Sequence, residues 1–168
     1  MFAAEVQNRS GVSAAVARLV TFWALLGGAL LLVIVLINVA SVVGAVVLKP
    51  FPGDFELTEM GVAVAVFAFL PYCQLTDANV TADIFTANAP RPMLAVLRAL
   101  ASLIAFGFAG ILVWRMYLGM LDQKAYNYTT TILQVPIWWA FVPILVSLAL
   151  LIAAAAVTFR ESLEEART

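Results

Sequence analysis

The chain has 168 residues, 64% of them apolar and 11% charged, with nine Lys and Arg against ten Asp and Glu and a formal net charge of −1. Ordinary soluble domains carry about 25% charged residues, so this balance excludes a soluble globular protein and offers no basic surface for nucleic acid. Histidine is absent, which removes bis-histidine haem ligation, histidine general-base catalysis and nearly every histidine-containing zinc site.

Four long apolar runs, Leu19 to Leu48, Leu57 to Leu75, Ala99 to Leu121 and Pro136 to Phe159, occupy more than half of the sequence, and only Glu59 and Arg115 carry charge inside them. A bilayer core about 30 Å thick is crossed by roughly 20 apolar helical residues. The runs are far longer than the roughly 10-residue strands of a membrane barrel, and backbone groups in lipid must be satisfied within the segment. The fold class expected is therefore an all-α membrane protein: one domain over residues 1–168 with four transmembrane helices at about 19–48, 57–75, 99–121 and 136–159.

Arg9 and Arg18 precede the first run, as in a signal peptide, but the run continues for 30 residues to Lys49, twice the length of a signal h-region. It reads as a retained span that must tilt or protrude. Within it Asn38, Ser41 and Gly44 follow at spacings of three and share a face, as interhelical packing residues do, and the Asn38 amide can hydrogen-bond a neighbouring helix. The second run holds Glu59 one turn from its start and the lone Cys73 near its end, read as a small buried apolar residue.

In the middle loop, residues 79–89 place Val80, Ile84 and Phe85 on one helical face and Thr81, Asp83 and Asn88 largely elsewhere. This pattern predicts a short interfacial amphipathic helix between the second and third spans, capped by Asn79 and broken by Pro90 and Pro92, with a plain loop as the alternative. The third run repeats Ala101, Ala105 and Ala109 at spacings of four and carries Arg115 between Trp114 and Tyr117. A charge in hydrocarbon costs a few kcal/mol, so Arg115 needs a partner, and Glu59, at matching depth, is the candidate within the chain; a partner subunit or a lipid headgroup is the other. The fourth run repeats Ala149 and Ala153, and ends in a charged stub from Arg160 to Thr168.

Six arginines, Arg9, Arg18, Arg91, Arg98, Arg160 and Arg167, fall on the side shared by the termini and the middle loop, and Lys49 and Lys124 on the other. The positive-inside bias predicts cytoplasmic termini and a mildly acidic outer face carrying Asp54, Glu56 and Asp122. The middle of every span is apolar, without the buried acids, broken helices or inverted repeats of a self-sufficient carrier. No motif for phosphate, nucleotide or metal is present, so neither enzyme nor cofactor is expected.

The stretch Thr131-Ile-Leu-Gln-Val-Pro136-Ile-Trp138-Trp139-Ala-Phe-Val-Pro143 opens the last span with a threonine-rich lead, a proline, two tryptophans and a second proline. This order resembles the small membrane subunit, the DctQ-type or Q subunit, of tripartite ATP-independent periplasmic (TRAP) transporters. Glu56-Leu57 with Glu59 before the second span, a Val and Asp motif after it (Asn79-Val80-Thr81-Ala82-Asp83) and the four-span size are similar to the same family. The family usually has an Arg and a His before that Val, and here Asn79 stands at the His position.

The resemblance implies partners: a large M-type membrane subunit that moves solute with sodium ions, a periplasmic P-type substrate-binding protein, and membrane lipids. The expected role is a bacterial inner-membrane scaffold that braces the large subunit and helps dock the binding protein, for uptake of an organic acid or similar solute. Glu56, Glu59, Arg115, Pro136, Trp138 and Trp139 are the residues expected at subunit or binding-protein contacts, and Asn79, Asp83 and Phe85 those of the cytoplasmic surface helix. A small dimeric exporter would need a buried acid in the first span, which is absent; a haem-free membrane anchor of a respiratory-type complex is the stronger rival.

Overall fold

The computed structural model describes residues 11–76 and 91–167, and every helix in them is one of four: α1, Val12–Val47; α2, Asp54–Leu75; α3, Arg91–Ala125; and α4, Trp138–Arg167. All four are long and apolar enough to cross a membrane. The predicted surface helix at 79–89, with Asn79, Asp83 and Phe85, lies outside the described residues.

Three helices outrun their apolar segments. At 36, 35 and 30 residues, α1, α3 and α4 measure about 54, 52 and 45 Å, against a hydrocarbon core of about 30 Å. The third helix begins at Arg91, so Pro92 sits in its first turn rather than ahead of it; the missing N–H there belongs to the set with no intrahelical acceptor anyway. Pro71 and Pro143 lie inside α2 and α4 without ending them.

The helices form an open row rather than a closed ring. The closest packing is between α3 and α4, followed by α2 against α4 and α1 against α2, while α1 meets α4 only slightly. The order across the row is thus α1, α2, α4, α3, with α1 and α3 at the edges. At the end near the chain termini, Ala17 and Val20 of α1 meet Leu75 of α2 and Ala154 of α4 in one buried cluster. Towards the opposite, loop end, α1 keeps a single line of contact with α2.

Small residues set these approaches. A Cβ on Gly27 would stand 2.9 Å from the Cβ of Ala68, and one on Gly61 would stand 2.6 Å from Ile34 Cδ1, so glycine on either helix lets the α1 and α2 backbones close. Between α3 and α4, Ala109 is fully buried while Ala101, two turns back in the same predicted stripe, is exposed. The packing face of α4 is formed by Ile144, Ser147, Leu148, Ala154 and Ala155; Ala149, from the predicted stripe, faces outward. Spacing alone found small residues but not which of them meet a neighbour. Cys73 is free and half-buried.

Four hydroxyls in the row bond back to their own helix. Thr21, Thr58, Ser147 and Thr158 each donate to the carbonyl four residues back, the arrangement a polar side chain adopts when lipid offers no alternative. Ser147, 1% exposed, also accepts a 2.8 Å bond from Trp23 Nε1, which ties α1 to α4 where their packing is thin.

A clamped hairpin at the loop end

The loop end is built on two connections that meet. After α3, the chain closes with a Schellman motif: Tyr128 N–H donates to Gln123 O and Asn127 N–H to Lys124 O. Asn127 occupies the left-handed position at φ 51, which asparagine tolerates better than most residues. The chain then turns on itself. Thr130 N–H donates to Val135 O and Ile137 N–H to Tyr128 O, with an antiparallel bridge between Thr129 and Pro136 and Gln134 left-handed at φ 55. Thr129 Oγ1, Thr130 Oγ1 and the Gln134 amide close the turn with side-chain bonds. The threonine run therefore supplies the hydrogen bonds of a tight hairpin.

Glu56, in the first turn of α2, holds this hairpin in place. Its Oε1 accepts the Ile132 N–H at 2.6 Å and its Oε2 the Leu133 N–H at 2.9 Å. Such charge-assisted bonds to consecutive amides fix both the position and the tilt of the loop. Gly53, left-handed at φ 82, leaves the space into which the Leu133 side chain packs, and any Cβ there would collide with it. Across the hairpin base, Lys124 Nζ lies 5.3 Å from the centroid of the Trp138 ring, a cation–π contact joining the end of α3 to the start of α4.

A second polar group joins α1 to the start of α2. Asn38 Nδ2 donates to Thr58 Oγ1 at 2.7 Å and to Ile34 O at 2.9 Å. Ser41, 3% exposed, donates to Asp54 Oδ2 and accepts from the Phe51 N–H, while Asp54 Oδ1 accepts the Phe55 N–H. Gly44 faces the returning backbone at Lys49 and Pro50. Thr58 and Leu133 were not singled out from sequence, and Asp54 was read only as an acid of the outer face, because their roles depend on partners 13 to 80 positions away in the chain.

The predicted contact residues separate into two sets. Glu56, Pro136 and Trp138 gather at the hairpin, half-buried, with Trp139 exposed beside Trp138. Glu59 and Arg115 do not join them. Both are exposed, no ion pair links them among the described residues, and their helices each pack on α4 rather than extensively on each other. The pairing expected from matched depth is not formed, because α4 stands between α2 and α3 in the row.

What the hairpin offers outward is aromatic. Tyr126, Tyr128, Ile132 and Trp139 are all more than half exposed, with the two tyrosine rings 5.8 Å apart. No group of three or more metal-ligating side chains occurs among the described residues.

The family model of the tripartite ATP-independent periplasmic transporters, DctQ component, matches residues 34–165. The chain belongs to this family. The match spans the α1–α2 polar group, Glu56, the hairpin and all of α3, so the geometry described above is that of a membrane component of a TRAP transporter. No match was found among curated proteins or solved structures.

Proposed function

We propose that this DctQ-family chain is a non-moving scaffold of a sodium-coupled TRAP transporter in a bacterial inner membrane. In this reading its termini are cytoplasmic and its hairpin end is periplasmic, in keeping with the arginine bias towards the terminal end. The apolar flanks of the open row brace a large transport subunit, and the hairpin helps seat a periplasmic substrate-binding protein during uptake of an organic acid or similar solute.

The observation that carries the reading is the clamped hairpin. A connection meant only to join two spans needs no fixed shape, whereas this one is held by a carboxylate on a different helix and displays aromatic side chains, the residues favoured at protein contacts. The interior supports a brace rather than a pathway. Thr21, Thr58, Ser147 and Thr158 bond to carbonyls of their own helices, and the two charges within the apolar runs face outward instead of lining a route between helices.

The test is reconstitution. Proteoliposomes holding this chain alone will accumulate no solute, and uptake will appear when the large subunit and the binding protein are added. Uptake by the chain alone refutes the scaffold; co-purification with a flavin or iron–sulfur subunit instead of a multi-span carrier replaces it with the anchor.

A further inference from the structure

Arg115 is a cation in the C-terminal half of the apolar part of α3, and the nearest acid on its face, Asp122, stands two turns further on. On a helix turning about 100° per residue, Ile104, Phe108 and Ile111 lie within about 40° of it, and all three are exposed apolar residues. Arg115 is itself exposed and has no ion pair among the described residues. Glu59, the other charge within the spans, is on α2, beyond α4 in the row.

We infer that Arg115 and the adjacent Trp114 form a binding site on α3 for the phosphate of a glycerophospholipid in the leaflet at the hairpin end. The depth fits. Twenty residues from Ala99, the start of the apolar part of α3, reach Leu118, about 30 Å along the axis. Arg115 then lies about one turn inside the boundary, within reach of the headgroup level for an arginine side chain that snorkels outward. Trp114 and Tyr117, both exposed, supply the amphipathic rings that favour that level. A planar guanidinium pairs two-pronged with phosphate oxygens, and the flanking Phe108, Ile111 and Leu118 side chains offer apolar surface to acyl chains.

A lipid fits this face better than a protein helix does. Close helix approach needs small residues; the open glycines of α3 are Gly107 and Gly110, where an added Cβ would meet nothing within 4 Å, and the exposed Ala101 stands about four turns below Arg115, at the other end of the span. The two glycines lie about 80° and 140° round the helix from Arg115. A helix seated on the glycines leaves the bulky Arg115 face directed at the bilayer. The site stands on α3 alone and does not depend on the transporter reading.

The test is native mass spectrometry of the full chain released from mild detergent, with added phosphatidylethanolamine, phosphatidylglycerol or a diacylglycerol of the same acyl chains. One phospholipid of either headgroup is expected to stay bound through detergent removal, and the diacylglycerol is not. R115Q should lower the lipid-bound fraction about tenfold, R115K should retain part of it, and E59Q should leave it unchanged, with helical circular dichroism preserved in all three. Equal lipid retention by R115Q overturns the site, as does equal retention of the diacylglycerol. If R115Q keeps its lipid but no longer co-elutes with the large subunit, the face belongs to a protein carboxylate and the proposal is wrong.

Discussion

At the scale of single residues, two side chains do work disproportionate to their size. Glu56 satisfies two consecutive amides of the hairpin, so Glu56→Ala leaves both N–H groups without an acceptor. Amide exchange at Ile132 and Leu133 should then quicken by at least about tenfold, while exchange within α3 stays as it is; unchanged rates at the two amides would mean that the turn holds itself. Ser147 is the other. It joins Trp23 to the Pro143 carbonyl, and bonds of this kind in membrane proteins contribute about 0.6 kcal/mol each. A double-mutant cycle of Trp23→Phe and Ser147→Ala, followed by thermal unfolding in detergent, should give a coupling of about that size. A coupling of zero would place the link between α1 and α4 in packing alone.

At the scale of elements, the contact between α1 and α2 depends on glycine at Gly27 and Gly61. Cysteines at Ile34 and Gly61, in a Cys73→Ser background, should cross-link on oxidation because those positions touch. Adding Gly27→Leu drives a side chain against Ala68, and overpacking costs about 1–3 kcal/mol, so the cross-link yield should fall at least about twofold. A yield that does not change would show the helices held by Asn38 and Thr58 and not by close approach.

Four spans were legible from apolar length because the bilayer sets that length directly. Their order in the row was not, since every span is apolar on several faces and any neighbour would satisfy it. The same limit explains the small-residue stripes: Ala109 is fully buried and Ala101 is exposed, yet the spacing is identical. The Pro-Trp-Trp segment marked the right part of the chain, and the threonines and Gln134 beside it were the available sign of a built turn. What no local pattern contained was the pairing of Glu56 with residues 76 and 77 positions later.

For the whole molecule, the open row leaves much of α1 uncovered towards the hairpin end. Leu36, Val39, Val43 and Val46 are all more than half exposed, more continuous apolar surface than a helix inside a closed bundle presents. Cysteines placed singly at Val39 and Val43 should react with a membrane-permeant maleimide in the isolated chain and become protected when the large subunit is co-expressed. Equal labelling with and without that subunit would move the brace to the α3 edge.

The Glu56 clamp also has a place in time. Its carboxylate is synthesised 76 residues before its first amide partner, and at about 5–20 residues per second it waits roughly 4 to 15 s for that partner to emerge. The two connections lie at one end of the row, so the bond cannot close until the third helix has brought the chain back across the membrane and the hairpin has arrived beside the start of α2. A chain in which α2 or α3 fails to insert leaves Glu56 and the Leu133 side chain on opposite faces of the bilayer. Closure of the clamp is therefore a record that α2 and α3 have both crossed, and the aromatic platform takes its shape only in chains where they have.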